Sequence, residues 1–342
     1  MRTLPVEQAV GRRLACDVTG ITAHEVRTIL AKGARIEPRH VAMLLAAGHD
    51  VVYVSEDDEP SAADVLSEDE AAIELAQALA GAGLRIQPAG SGRAFLVAQA
   101  DGLVLVREDA CARLNDSDVA LLVTAPHHAV ARGGRLVGAV DLVPLQVPAA
   151  ELSRLIAGVS PGGPMIEVRP FVLRHVGLVI TGSEVYEGRV ADLVAPVVRA
   201  AVARYGGEVG DVRFEPDDEA RIAAAILELA ASHDVVIATG GMSIDPTDRT
   251  PSAIRSVADR VVKYGLPVLP NAMSMVAYRG TVPVLGISSG IIHYQDENVL
   301  DRLLPLAMSG EPITRAELVA AGAGGLGAAF VADLEQRIRA GA

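Results

Sequence analysis

The sequence predicts an α/β protein organised on a mostly parallel sheet, with smaller α+β modules preceding it. Three observations lead there. Apolar runs at 171–180 and 234–238 are continuous rather than alternating, the mark of strands covered by helices on both faces. Each run ends in a Thr-Gly turn, Thr181-Gly182 and Thr239-Gly240-Gly241. Helical periodicity follows each turn, so strand, turn and helix recur in that order.

Composition bounds the rest. A chain of 342 residues is long for one core, and half of it is apolar, so two or three well-packed domains are expected. The segments are read as an α+β piece over 1–60, a second small α+β module over 61–160, an α/β domain over 165–310 and a partly helical tail over 311–342. Aromatic residues make up only 3%, which argues against stacking of bases or sugars. Thirty Lys and Arg face 43 Asp and Glu, a net charge of −13, which disfavours nucleic acid and anionic membranes as partners. Cys16 and Cys111 form no CxxC pair and read as two buried thiols. Residues 1–5 lack an apolar leader and no run is long enough to span a bilayer, so a cytoplasmic protein is expected.

In chain order, residues 6–14 have helical spacing, 28–30 a strand pattern, and Pro38 opens a helix that Gly48 stops. A strand at 51–54 precedes an acidic linker at 56–60. Ser67 and Glu70 form a Ser-x-x-Glu cap for a helix reaching residue 80. Strands are expected at 95–98, 103–106, 119–124 and 136–143, a helix at 148–157 and a Gly/Pro linker at 158–164. His127 and His128 lack a third ligand at metal spacing and read as a polar loop. Further on, a helix spans 189–205, a strand 208–214, a helix starts at Pro216-Asp217-Asp218, and a strand covers 235–238. Thr250 is read as the N-cap of a helix with Pro251 in its first turn. Strands at 261–264, 275–278 and 282–287 lead to Ser288-Ser289-Gly290, which opens a long helix near 294–308.

Right-handed crossovers bring the C-terminal ends of parallel strands to one edge, where loops 181–189, 215–218 and 239–250 meet. Thr239, Gly240, Gly241, Met242 and Ser243 offer consecutive backbone amides with little side-chain obstruction, a nest for a phosphate. The same edge collects Asp192, Asp217, Asp218, Asp245 and Asp248. Carboxylates beside a phosphate repel it unless a cation lies between them, so Asp217, Asp218, Asp245 and Asp248 are candidate Mg²⁺ ligands. Such a metal would stabilise charge as a phosphoanhydride breaks. A plainer reading also stands: Asp217 and Asp218 complement a helix dipole and Asp245 a turn.

The series Thr181-Gly182-Ser183-Glu184, Gly188-Arg189-Val190-Ala191-Asp192, Pro216-Asp217-Asp218, Thr239-Gly240-Gly241-Met242-Ser243 and Asp248-Arg249-Thr250 resembles the MoaB/Mog-type molybdopterin-binding domain. Molybdopterin molybdenumtransferases of the MoeA family share that domain with molybdopterin adenylyltransferases. The resemblance covers roughly residues 168–310, and short pieces at 5–12 and 36–54 are similar to segments of the molybdenumtransferase. It implies a three-layer α/β domain binding molybdopterin or adenylyl-molybdopterin through Thr181, Gly182, Glu184, Asp192, the 239–243 loop, Ser288, Ser289 and Gly290. It also implies Asp218 and Asp248 as catalytic acids acting with Mg²⁺, molybdate as a co-substrate, and a homo-oligomer. Two loops depart from the pattern. A Pro-Gly turn is replaced by Leu269-Pro270-Asn271-Ala272-Met273, and a Leu-Pro-Gly-Asn-Pro loop by Gly286-Ile287-Ser288-Ser289-Gly290-Ile291. Asn can adopt the left-handed conformation glycine would supply, and Ser can donate to a phosphate. The chain ends soon after the core, so the C-terminal β-domain of the full transferase is expected to be missing.

Three functions follow as expectations. The first is a molybdenum-cofactor assembly enzyme that inserts molybdate and releases AMP. The second is a non-catalytic molybdopterin carrier, chaperone or sensor serving a client molybdoenzyme. The third is a CinA-like nucleotide pyrophosphatase, disfavoured because the domain there normally comes first.

Overall fold

The computed structural model describes residues 2–21, 26–55, 64–243 and 248–340. The chain divides into two compact units, one of residues 1–99, 106–127 and 134–167, the other of residues 100–105, 128–133 and 168–342. The expected acidic linker at 56–60 lies outside the described residues.

In the first unit, Arg2–Pro5 pairs antiparallel with Val51–Val54, and Val18–Ile21 with Val26–Leu30. Pro38–Ala46 is helical as expected, with Pro38 in its first turn and Gly48 at a φ of 86° just beyond its end. The helix read over 6–14 is instead a single 3-10 turn, Val6–Ala9. The backbone of Gly11, Arg12 and Leu14 bonds to Ala34 and Ile36, which competes with helical pairing. Ser67 caps the helix Glu68–Leu79 through the expected box: Glu70 N donates to Ser67 Oγ at 3.4 Å and Ser67 N to Glu70 Oε2 at 2.9 Å. That helix packs on a four-stranded antiparallel sheet of Leu84–Gly90, Arg93–Ala98, Leu136–Leu142 and Ala120–Thr124. The helix Glu108–Asn115 was hidden in a short, charged stretch. Its last residue covers the open strand edge, because Leu122 N donates to Asn115 Oδ1 at 2.7 Å and Asn115 Nδ2 to Leu122 O at 3.0 Å. Residues 158–164, read as a linker, are tied down by Arg107, whose Nη1 donates to Gly163 O at 2.7 Å and Nη2 to Pro161 O. Cys16 and Cys111 are free and half-buried rather than fully buried, and burial pushes both thiols up from their ordinary pKa.

The second unit holds the parallel sheet. Its elements are β1 (His175–Thr181), α1 (Ser183–Tyr186), α2 (Val194–Ala203), β2 (Glu208–Glu215), α3 (Glu219–Ala230), β3 (Val235–Thr239), α4 (Thr250–Val257), β4 (Arg260–Tyr264), β5 (Met275–Arg279), β6 (Val282–Ile287), α5 (Val299–Met308), α6 (Arg315–Ala320) and α7 (Ala328–Ala340). The strand order is β2-β1-β3-β6-β5-β4. The pairings β2–β1, β1–β3 and β3–β6 are parallel, and β6–β5 and β5–β4 antiparallel. Successive strand side chains point to opposite faces, so each buried strand feeds two cores. Val176, Leu178, Ile180, Val235 and Ile237 meet α2 and α5 on one face. Val179, Val236 and Ala238 meet α3 and α4 on the other. The result is helix, sheet, helix: three layers.

Three expected boundaries move for identifiable reasons. The helix read over 189–205 begins only at Val194: Asp192, the residue before the N-cap Leu193, accepts at Oδ1 from Val194 N at 2.8 Å. Before that, Arg189 N and Val190 N both donate to Glu184 O and close a turn. Thr250 is the first residue of α4 rather than its cap, since its hydroxyl is engaged across the sheet edge by Thr181. The long helix near 294–308 starts at Val299, where Asn298 Oδ1 accepts from Leu300 N at 2.7 Å; a 3-10 turn, Ser289–Ile292, precedes it.

Candidate functional site

The C-terminal ends of β1 and β3 open into a cavity of about 480 Å³, a size that suits a cofactor-sized ligand. Thr181, Gly182, Glu184, Asp192, Asp217, Thr239, Gly240, Gly241, Ser243, Asp248 and Ser289 line it, joined by Val185, Val190, Leu193 and Ile292. Most of the residues singled out in the sequence therefore converge on one wall. Asp245 lies outside the described residues.

The glycine turn is dictated by crowding. Gly240 has a φ of 98°, and a Cβ there would lie 2.3 Å from Thr181 O. Gly241, at a φ of 52°, sits where a Cβ would be 3.3 Å from Thr250 Oγ1 and 3.5 Å from Asp248 Oδ1. Three buried threonines brace the turn. Thr181 Oγ1 donates to Thr239 O at 3.3 Å and lies 3.0 Å from Thr250 Oγ1. Thr239 is fully buried, yet its Oγ1 has no hydrogen-bond partner among the described residues. A buried hydroxyl left unpaired is costly, and Thr239 is a residue that borders the cavity. Met242 does not face the cavity: its side chain is 2% exposed, packed in the core between the sheet and α3/α4. Its carbonyl accepts from Tyr264 Oη at 2.8 Å, anchoring the loop from β4. Burial pushes the Tyr264 phenol up; Arg255 opposes and Asp248 reinforces that shift.

Glu184, Asp192, Asp217 and Asp248 supply four carboxylates to the described lining, which includes no Lys, Arg or His. Two of them are held by backbone groups. Asp192 Oδ1 accepts from Val194 N at the start of α2, and Asp217 Oδ2 accepts from Ser183 N at 3.0 Å and Ser183 Oγ at 3.1 Å. Asp218 is placed differently from its neighbour. It is the N-cap of α3, with Arg221 N donating to its Oδ1 at 2.9 Å, and it does not line the cavity. Arg221 is turned toward Tyr186 and Glu215, at 3.0 and 2.9 Å, and the bond to Tyr186 holds its pKa above the ordinary value. No group of three or more His, Cys, Asp or Glu is arranged to hold a metal among the described residues. Mg²⁺ asks less of a protein than that, since one or two carboxylates and ligand phosphate oxygens complete its shell. Asp217 and Asp248 are carboxylates of that kind in the lining.

Ser289 lines the cavity, whereas Ser288 and Gly290 are not among its described lining residues. The Asn271 carboxamide lies 2.9 Å from Ser288 Oγ, and Asn271 adopts the left-handed backbone, at a φ of 76°, that a glycine would have supplied. Sequence reasoning missed Ser183, Thr250, Tyr264 and Asn271 as parts of the site. Thr250 and Ser183 stood inside the motifs that were read, whereas Tyr264 and Asn271 reach the loops only through folding.

Residues 177–310 match the family model described as a probable molybdopterin binding domain, and residues 3–56 match one described as a domain of unknown function. A molybdopterin molybdenumtransferase from Staphylococcus aureus is 27% identical over 129 residues, 36% of this chain and 31% of the relative. One from Staphylococcus epidermidis is 24% identical over 120 residues, 33% of this chain and 29% of the relative. The chain thus spans about a third of the length of the curated relatives it matches. Among solved structures, the molybdopterin biosynthesis enzyme MoaB from Thermus thermophilus is similar with a TM-score of 0.35 and 22% identity, over 41% of this chain and 99% of that one. The molybdopterin biosynthesis MoeA protein from Pyrococcus horikosii gives a TM-score of 0.34 and 15% identity, over 90% of this chain and 75% of that one.

Proposed function

We propose that this chain, whose residues 177–310 are a molybdopterin-binding domain related to that of molybdopterin molybdenumtransferases, acts in molybdenum-cofactor biosynthesis by holding molybdopterin or adenylyl-molybdopterin in the cavity above β1 and β3. The observation that carries this reading is the Gly240–Gly241 turn. It is forced into its shape by Thr181 and faces a cavity whose described lining has carboxylates but no basic side chain. A phosphate entering there meets backbone amides rather than Lys or Arg, so it must be accompanied by a cation.

Asp217 and Asp248 would hold Mg²⁺ together with phosphate oxygens of the ligand. When bound, that ion supplies charge neutralisation as a phosphoanhydride is cleaved and AMP leaves. Ser183 keeps the Asp217 carboxylate directed by two hydrogen bonds. Asp218 contributes by fixing the start of α3, and with it the position of Asp217.

The commitment of Asp218 to its helix cap favours a second reading, in which the protein carries or senses the pterin without turnover. Asp248→Asn separates the two. In an assay of Mg²⁺- and molybdate-dependent AMP release, the variant is expected to lose roughly a hundredfold or more in rate, the scale of removing one electrostatic stabiliser from a transition state. Equal rates in the variant and the parent would remove Asp248 from the chemistry. Binding without AMP release in the parent would establish the carrier.

A further inference from the structure

The loops at 269–273 and 286–291 both depart from the molybdopterin-binding pattern, and they depart together. The first of them carries Asn271. The structure shows where that side chain goes. A Cβ added to Gly290 would lie 2.9 Å from the end of the Asn271 carboxamide, so Asn271 fills the space that a side chain at 290 would take. With its amide oriented so that each end meets a partner, Asn271 Oδ1 accepts from Ser288 Oγ at 2.9 Å and Ile291 N at 3.1 Å, while Nδ2 donates to Pro270 O at 3.3 Å.

The base of the Asn271 loop is itself secured. Ser274, fully buried, donates from Oγ to Asn271 O at 2.8 Å. Leu269 N donates to Gly325 O and Gly327 N to Leu269 O, each at 2.7 Å, so the tail pairs with this loop as a strand would. On the other side, Glu297 Oε2 accepts from Ala328 N and Tyr294 Oη donates to Asp333 Oδ2, both at 2.6 Å. The tail therefore grips the chain on both sides of the cavity-facing Ser289.

We propose that Asn271 is a positioning residue for ligand binding: its carboxamide holds the 288–291 segment so that Ser289 stays in the cavity wall. Its effect on affinity rests on the pterin reading above; its effect on the loop does not.

Two variants test it on the full chain. Asn271→Gly keeps the left-handed backbone free of strain and removes the carboxamide, whereas Asn271→Asp keeps an oxygen that can accept from Ser288 and Ile291. Amide hydrogen exchange at 288–292 in the ligand-free protein is expected to rise roughly tenfold in Asn271→Gly and to stay near the parent value in Asn271→Asp. Molybdopterin affinity is expected to fall about tenfold in Asn271→Gly with little change in the thermal midpoint, because a merely structural residue would move both. Unchanged exchange in the glycine variant, or faster exchange in both variants, overturns the clamp. If the parent binds no pterin, the functional reading falls and exchange alone still decides whether the clamp exists.

Discussion

The two glycine-bearing loops of the cavity are shaped by different forces. At Gly240 the constraint is backbone against backbone: positive φ, with Thr181 O 2.3 Å from where a Cβ would be. At Gly290 the neighbour is the end of the Asn271 side chain, which can move. The first loop is fixed by the sheet edge itself and the second by a side-chain clamp. The cavity therefore pairs a rigid glycine turn with a wall held by one side chain.

That contrast can be broken at several points. Gly240→Ala is expected to be the most severe, costing about 3 kcal/mol of stability and abolishing ligand binding, since neither the conformation nor the carbonyl can yield. Chemical denaturation of parent and variant measures the first effect, and titration with the pterin the second. Thr250→Val leaves Thr181 without its buried hydroxyl partner and is expected to cost about 2 kcal/mol, with Thr250→Ser recovering most of it. A loss in Thr250→Ser with Thr250→Val unaffected would mean that methyl packing, not the hydroxyl pair, supports the turn. Thr239→Val should be stabilising, unlike the substitutions above. Removing an unpaired buried hydroxyl is expected to stabilise the ligand-free protein by about 1 kcal/mol, read as a higher thermal midpoint. Gly290→Ala is expected to be the mildest, below about 1 kcal/mol in a denaturation curve, because it displaces only the Asn271 carboxamide.

The parallel strands were legible because burial on both faces leaves a continuous apolar run, and the Thr-Gly ends marked where each strand stops. The Ser67–Glu70 cap and the Pro38 helix were legible because their cues are local. What could not be read was tertiary. Asp192 was recognised as a site acid, yet it accepts from Val194 N where α2 begins, and periodicity through residues 189–193 conceals this start. Asp217 and Asp218 are identical neighbours in sequence, but one faces the cavity with Ser183 and the other turns to its own helix. Thr250 looked like a cap because Thr before Pro usually is one; its hydroxyl is claimed by a residue 69 positions away. Asn271 was noticed as a departure from the pattern, and only the fold shows it reaching the opposite loop.

The measurement that tests the central claim most directly is equilibrium binding of the purified chain to molybdopterin and adenylyl-molybdopterin, with and without Mg²⁺. A cavity with four carboxylates and no described basic residue predicts saturable binding that strengthens when Mg²⁺ is added and weakens on chelation. Binding of neither pterin, or binding that Mg²⁺ leaves unchanged, would contradict the account of how this site holds its ligand.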